Sequence, residues 1–330
     1  MSDIDLSLED SSKSKKILPS EETIEMEDKK PKQEDRDLNL IILSWIIILL
    51  ASSLSLILWR EFGAGEPLWW PILTLSLLLI FLIATLVKKT LKPLRMFISV
   101  ILIIFVFGYG GGWQWGIVPA IRGSSFWIQW TNQMPWALSS IATHLLRLTP
   151  AIAVLSFLLL TGRKRNDFFL IKGDIRAPVE PSKLIGMKSP KPWTKIGSIF
   201  TIIFSIGTLM FLLFSTFPSA SDFVRALPLI PVAILIAAIN AFNEEFTLRA
   251  APLSELKGVI GKMQALLITT VYFGLGHFYG VPSGILGIVL SAYLGWFIGK
   301  SLLETKGFFW AWIIHFFPDV IIFTFYAMFP

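Results

Sequence analysis

Six ionisable residues stand in apolar surroundings toward the C-terminus: Glu244, Glu245, Arg249, His277, His315 and Asp319. A charge at mid-membrane costs at least about 2.5–3.5 kcal/mol on insertion scales, so such residues are rare and usually functional. Their spacing sets their geometry. Glu245 and Arg249 are four residues apart, share a helix face and can form an ion pair. Glu244 lies about 100° around the same helix and is free for another task. His315 and Asp319 repeat the four-residue spacing, so the carboxylate can accept from one ring nitrogen and orient the other. Pro318 between them removes a backbone donor and favours a kink. Phe273 and His277 share this spacing too, which puts the aromatic ring beneath the imidazole.

A carboxylate facing two imidazoles in a dry site suits hydrolysis. Glu244 could take a proton from water as general base. Neutral His277 and His315 could position the water or donate to a developing oxyanion. The same three residues could instead bind a divalent metal such as zinc, leaving a position open for water. The H-E-x-x-H spacing of zinc peptidases is absent, as is the G-x-S-x-G nucleophile elbow. The chain has no cysteine, which removes thiolate nucleophiles and zinc-thiolate sites.

These residues must be positioned by membrane helices. Of 330 residues, 54% are hydrophobic and only 16% charged, with a mean hydropathy of +0.67. A soluble domain carries about 25% charged residues. The excess apolar residues fall in runs of about 20, the length that spans a bilayer. The fold expected is therefore an all-α polytopic membrane protein. The net charge of +6 is unevenly spread. Residues 1–37 hold 12 acids and 7 bases, and the remainder 11 acids and 22 bases. That basic remainder sits in short loops, where it fixes orientation; it does not imply a nucleic-acid partner.

Residues 1–37 have the composition of a disordered tail. Transmembrane helices are expected over 38–161, at about 39–59, 69–87, 96–115 and 136–161. Five tryptophans crowd between 113 and 136, which places that stretch at a membrane interface. The fourth run carries His144 and Arg147, and His144 has no partner at matching spacing. Residues 162–195 form a basic loop kept irregular by Pro178, Pro181, Pro190 and Pro192, and 196–330 forms a C-terminal bundle. Its helices are expected at about 196–217, 228–256, 262–278, 283–303 and 308–329. Nine helices, with the N-terminus and basic loops cytoplasmic, satisfy the positive-inside pattern; eight result if 136–161 is not one span. Gly108-Tyr109-Gly110 lacks the Thr-Val that precedes the glycine in a potassium filter, and Phe107 stands there instead.

Depth agrees with one site. Glu244 lies 13 residues before Lys257, His277 15 after Lys262, and Asp319 13 after Lys306. At about 1.5 Å per residue, all three fall roughly 20 Å from the basic end of their helices.

Read together, the segments Glu244-Glu245-Phe-Thr-Leu-Arg249, Phe273-Gly-Leu-Gly-His277 and His315-Phe-Phe-Pro-Asp319 resemble the CAAX-protease and bacteriocin-processing (CPBP) family of intramembrane peptidases. Its pattern is E-E-x-x-x-R, F-x-x-x-H and H-x-x-x-N/D in successive apolar segments, and the resemblance covers about residues 225–325. It implies an endopeptidase, glutamic or metal-dependent, acting on a membrane-embedded or membrane-proximal peptide or protein. It implies Glu244 as base, with His277, His315 and Asp319 completing the site and Glu245 and Arg249 supporting it. The prenyl-protease branch tends to carry Asn where this chain has Asp319. Two other readings stay open: a non-catalytic scaffold or bacteriocin self-immunity protein of the same fold, and a proton-coupled transporter using the same groups. Oligomeric state is not legible.

Overall fold

The computed structural model describes residues 37–63, 65–108 and 115–329. The tail expected over 1–37 lies outside them except for Asp37, as do Tyr109 and Gly110. Helix α1, Leu38–Ala51, starts on Asp37, whose carboxylate accepts from the Asn39 N–H at 2.9 Å. Helix α2, Leu54–Phe62, follows at a 53° bend. The bend falls on Ser52 and Ser53. The Ser52 hydroxyl donates to the Leu49 carbonyl at 2.8 Å and accepts from the Leu54 N–H at 3.2 Å. Side-chain insertion of this kind is an established cause of helix kinks.

Helices α3, Trp69–Val87, and α4, Lys89–Phe107, come next. The tryptophan-rich stretch forms two short helices, α5, Ile117–Arg122, and α6, Ser125–Gln133. Ser124 caps α6 by accepting from the Trp127 N–H at 3.2 Å. Helix α7, Trp136–Leu160, is long and apolar enough to cross as one span.

The basic 162–195 segment is largely irregular, with one small ladder. Strands β1, Pro178–Val179, and β2, Lys191–Pro192, pair antiparallel. Phe168, Phe169, Val179 and Trp193 are buried, so the segment packs against the helices. Arg163 makes a two-pronged contact with Glu255, Nε to Oε1 at 3.1 Å and Nη2 to Oε2 at 2.6 Å. Gly173 presses its backbone on Gly307. With φ at +70°, a Cβ at Gly173 would lie 2.5 Å from the Gly307 Cα. Gly173→Val is therefore expected to lift the segment off the bundle, read as faster limited proteolysis within 162–195.

The C-terminal bundle comprises α8, Trp193–Thr216; α9, Ala220–Leu256; α10, Lys262–Leu275; α11, Gly284–Thr305; and α12, Phe309–Met328. Helix α9 opens on a capping box: Ser219 and Asp222 satisfy each other's backbone N–H groups. Pro252 has no N–H to offer the Leu248 carbonyl, and the helix widens ahead of it into a π-turn, Phe246–Ala250. Helix α12 continues through Pro318.

Among the described residues, seven helices are long and apolar enough to cross a membrane, or eight if α1 and α2 count as one bent span. The expected nine included α10. That helix has 14 residues, about 21 Å, against a hydrocarbon thickness of about 30 Å. It ends early because Gly276, Gly280 and Pro282 turn the chain. Its Ala265, Ile268, Thr269, Tyr272 and Phe273 are buried, so it packs inside the bundle.

The core runs from Phe97, Ile101 and Ile104 of α4 through Val154 and Leu158 of α7 to Phe246, Leu253, Phe297 and Ile314. The outer surface is apolar as well. Ile199, Ile202, Ile203 and Ile206 form an exposed stripe on α8, as do Ile72, Ile80, Ile83 and Leu86 on α3. A surface of that kind belongs in lipid, and every spanning element being helical satisfies its backbone there.

Candidate active site

Helices α7, α9 and α12 and the turn after α10 bring the ionisable residues together. Glu244 and Glu245 lie at the last turn before the π-turn, which itself carries Arg249. Single π-turns inside α-helices recur at functional sites because they re-aim side chains. Glu244, Glu245, Arg249, His315 and Asp319 are buried, while His277 is partly accessible, its side chain 28% exposed.

Glu244 stands at the centre. Its Oε1 accepts from Asn240 Nδ2 at 3.2 Å and from Arg147 Nη2 at 3.3 Å. Its Oε2 faces His277 Nε2 at 3.8 Å and His315 Nε2 at 3.7 Å. These two separations exceed a direct hydrogen bond and are the kind a water molecule bridges.

Each histidine is oriented through its other nitrogen. His277 Nδ1 lies 2.9 Å from the Phe273 carbonyl, which can only accept, so Nδ1 carries the proton there. The expected aromatic support is present, with the Phe273 and His277 ring centroids 4.4 Å apart. His315 Nδ1 is 2.6 Å from Glu245 Oε1, and its Nε2 is 3.5 Å from Asp319 Oδ2. The closer partner of His315 is thus Glu245, on another helix, and not its own-helix neighbour Asp319. Glu245 also holds Arg249 through Oε2, the pair the spacing indicates. One carboxylate therefore ties an arginine and a histidine together. Asp319 Oδ2 accepts from Asn240 Nδ2 at 2.9 Å, so Asn240 bridges Asp319 and Glu244.

Arg249 is fully buried and lies over the Phe273 ring at 4.2 Å. Gly295 of α11 leaves room for it: a Cβ there would come 2.8 Å from Arg249 Nη2 and 3.2 Å from Phe273 Cδ1. Because the guanidinium is pinned by Glu245, it cannot simply move aside. Gly295→Ala should lower stability by about 1–3 kcal/mol, the usual cost of overpacking, visible as a lower thermal midpoint in detergent.

Three further residues bear on the site. Asn240 is four before Glu244 and shares its face, a signal that was available. Asn243 fixes α7 by donating from Nδ2 to the Arg147 carbonyl at 2.8 Å. Arg147 stands out in the sequence as a charge in an apolar run, but Glu244, to which it donates, lies 97 residues away on another helix. No local spacing could reveal that. His144 is bonded to the Ser140 carbonyl at 2.8 Å and set edge-on to Phe323.

One oxygen of Glu244 is engaged by Asn240 and Arg147. Among the described residues, no group of three or more His, Asp or Glu side chains is arranged to hold a metal ion.

No curated protein and no solved structure matches the chain. The family model of the Rce1-like type II CAAX prenyl endopeptidases matches residues 226–321, a stretch that contains Asn240, Glu244, Glu245, Arg249, His277, His315 and Asp319. That family implies a protease, hence a hydrolase. Residues 226–321 of this multi-pass membrane protein thus resemble an Rce1-like domain, a match consistent with a CPBP family intramembrane protease.

Proposed function

We propose that this protein is an intramembrane endopeptidase in which Glu244 activates a water molecule for attack on a peptide bond. One observation carries the proposal: Glu244 Oε2 faces the Nε2 atoms of both His277 and His315 at 3.7–3.8 Å. A water in that gap can give its proton to Glu244 while the carbonyl carbon of the substrate receives its oxygen. His277, with its proton held on Nδ1, presents a lone pair at Nε2 that fixes the orientation of this water. His315 is held by Glu245 and Asp319, the geometry for a group that steadies the developing oxyanion. Glu244 then returns the proton to the departing amine. Asn240 and Arg147 hold the other carboxylate oxygen and so keep Oε2 turned toward the histidines.

The functional unit reaches beyond residues 196–330, since Arg147 comes from α7. The substrate is a membrane-embedded or membrane-proximal peptide, and the charge distribution of the loops supports a cytoplasmic N-terminus and cytoplasmic 88–95 and 162–195 segments. A scaffold or immunity role without catalysis is the competing reading, and the family match does not favour it.

Purified protein in nanodiscs, offered membrane-anchored peptides with and without a prenylated C-terminus, tests the assignment. Turnover that disappears in His277→Ala supports it, and full turnover in that variant overturns it. Arg147→Gln should reduce turnover roughly ten- to hundredfold, the value of a charged hydrogen bond of about 1.5–3 kcal/mol. A thermal midpoint measured alongside separates loss of orientation at Glu244 from loss of fold.

A further inference from the structure

We propose that the groove between the 162–195 segment and helices α9 and α12 binds an anionic phospholipid of the surrounding bilayer. The groove has a volume of about 440 Å³. Phe242 of α9 and Phe308, Phe309 and Trp312 at the start of α12 make it aromatic, and Arg165 and Lys172 make it cationic. Among the described residues that line it, none is acidic. An acyl chain suits the aromatic wall, and a headgroup with net negative charge suits the two bases. A zwitterionic headgroup brings its own cation and loses that attraction.

The groove is a built feature. Arg163 anchors the segment on Glu255, the Leu170 N–H donates to the Arg165 carbonyl at 2.7 Å, and the Phe308 N–H donates to the Ile171 carbonyl at 2.7 Å. Trp312 is held by its indole N–H, which donates to the Ala238 carbonyl at 3.0 Å, and Phe242 meets Phe308 edge-on at 5.7 Å. The backbone that carries Arg165 and Lys172 is therefore set against the aromatic wall, while both basic side chains remain exposed. Orientation by the positive-inside pattern accounts for bases in this segment but not for an aromatic groove built against two of them.

Two residues of the groove are close in sequence to the candidate site. Phe242 precedes Glu244 by two residues, and Trp312 precedes His315 by three. Lipid occupancy is nevertheless independent of peptide hydrolysis, and it is measured without a substrate.

Native mass spectrometry of the full chain released from detergent, after addition of phosphatidylglycerol or phosphatidylcholine, tests the proposal. Phosphatidylglycerol should be retained in preference to phosphatidylcholine. Each basic side chain near a membrane surface contributes about 1 kcal/mol, so Arg165→Gln with Lys172→Gln should weaken retention roughly 25-fold. The charge-preserving pair Arg165→Lys with Lys172→Arg should restore it, and thermal midpoints should match across all three proteins. Equal retention of the two lipids, or undiminished phosphatidylglycerol in the glutamine variant, overturns the proposal. Displacement of the lipid by millimolar inorganic phosphate overturns it in favour of a free-anion site. Displacement by a prenylated peptide overturns it in favour of a substrate site.

Discussion

Glu244→Gln is expected to lower turnover by a factor of about 10²–10⁴, the usual contribution of a positioned general base. Membrane insertion and thermal stability should stay close to wild type. Gln keeps the volume of Glu and keeps an oxygen that can accept from Asn240 Nδ2 and Arg147 Nη2, the two donors that hold Oε1 at 3.2 and 3.3 Å. What it cannot do is take a proton from the water that the two histidines orient. The substitution therefore separates chemistry from architecture. If unfolding and turnover fell together, Glu244 would be a structural group. If neither changed, the water-activating role would be wrong.

The second large effect concerns stability. Arg249→Met should destabilise the bundle by about 3–5 kcal/mol, because it leaves Glu245 as a buried carboxylate without its cation. Glu245 and Arg249 are both fully buried, so no solvent relieves the uncompensated charge. Adding Glu245→Gln removes that charge, and the double variant should regain much of the lost stability. The amide oxygen introduced by that substitution can still accept from His315 Nδ1, which wild-type Glu245 holds at 2.6 Å. Thermal unfolding of the wild type, Arg249→Met and the double variant in one detergent checks this. Equal midpoints for the single and double variants would mean that burial of the lone carboxylate is not the cause.

The sequence made the helices and the pairs within one helix legible, because both depend on short spacing. Apolar runs announced the spans, and the i, i+4 rule found Glu245 with Arg249 and Phe273 with His277. The contacts between helices were hidden. Nothing local links Glu245 to His315, 70 residues apart, or Arg147 to Glu244. The same-helix rule placed Asp319 beside His315 Nε2, at 3.5 Å, but not Glu245 beside Nδ1: in a packed bundle a carboxylate on a facing helix can approach more closely than one a turn away. The 162–195 segment is largely irregular, as its prolines suggest, but its packing was hidden for a related reason. Pro178 and Pro192 lie in the small ladder, and buried Phe168 and Trp193 bind the segment to the core. Hydropathy alone also overcounted the spans, since α10 is apolar because it is buried among other helices while its 14 residues are too few to cross.

The most direct test of Glu244 as the water-activating base of a peptidase is quantitative mass spectrometry of membrane-protein fragments. Cells expressing the wild-type chain are compared with cells expressing Glu244→Gln at equal abundance. Fragments with new termini in or beside apolar segments should accumulate with the wild type and be absent with the variant, while their full-length precursors show the reverse. Identical fragment sets in the two cell lines would contradict hydrolysis at Glu244.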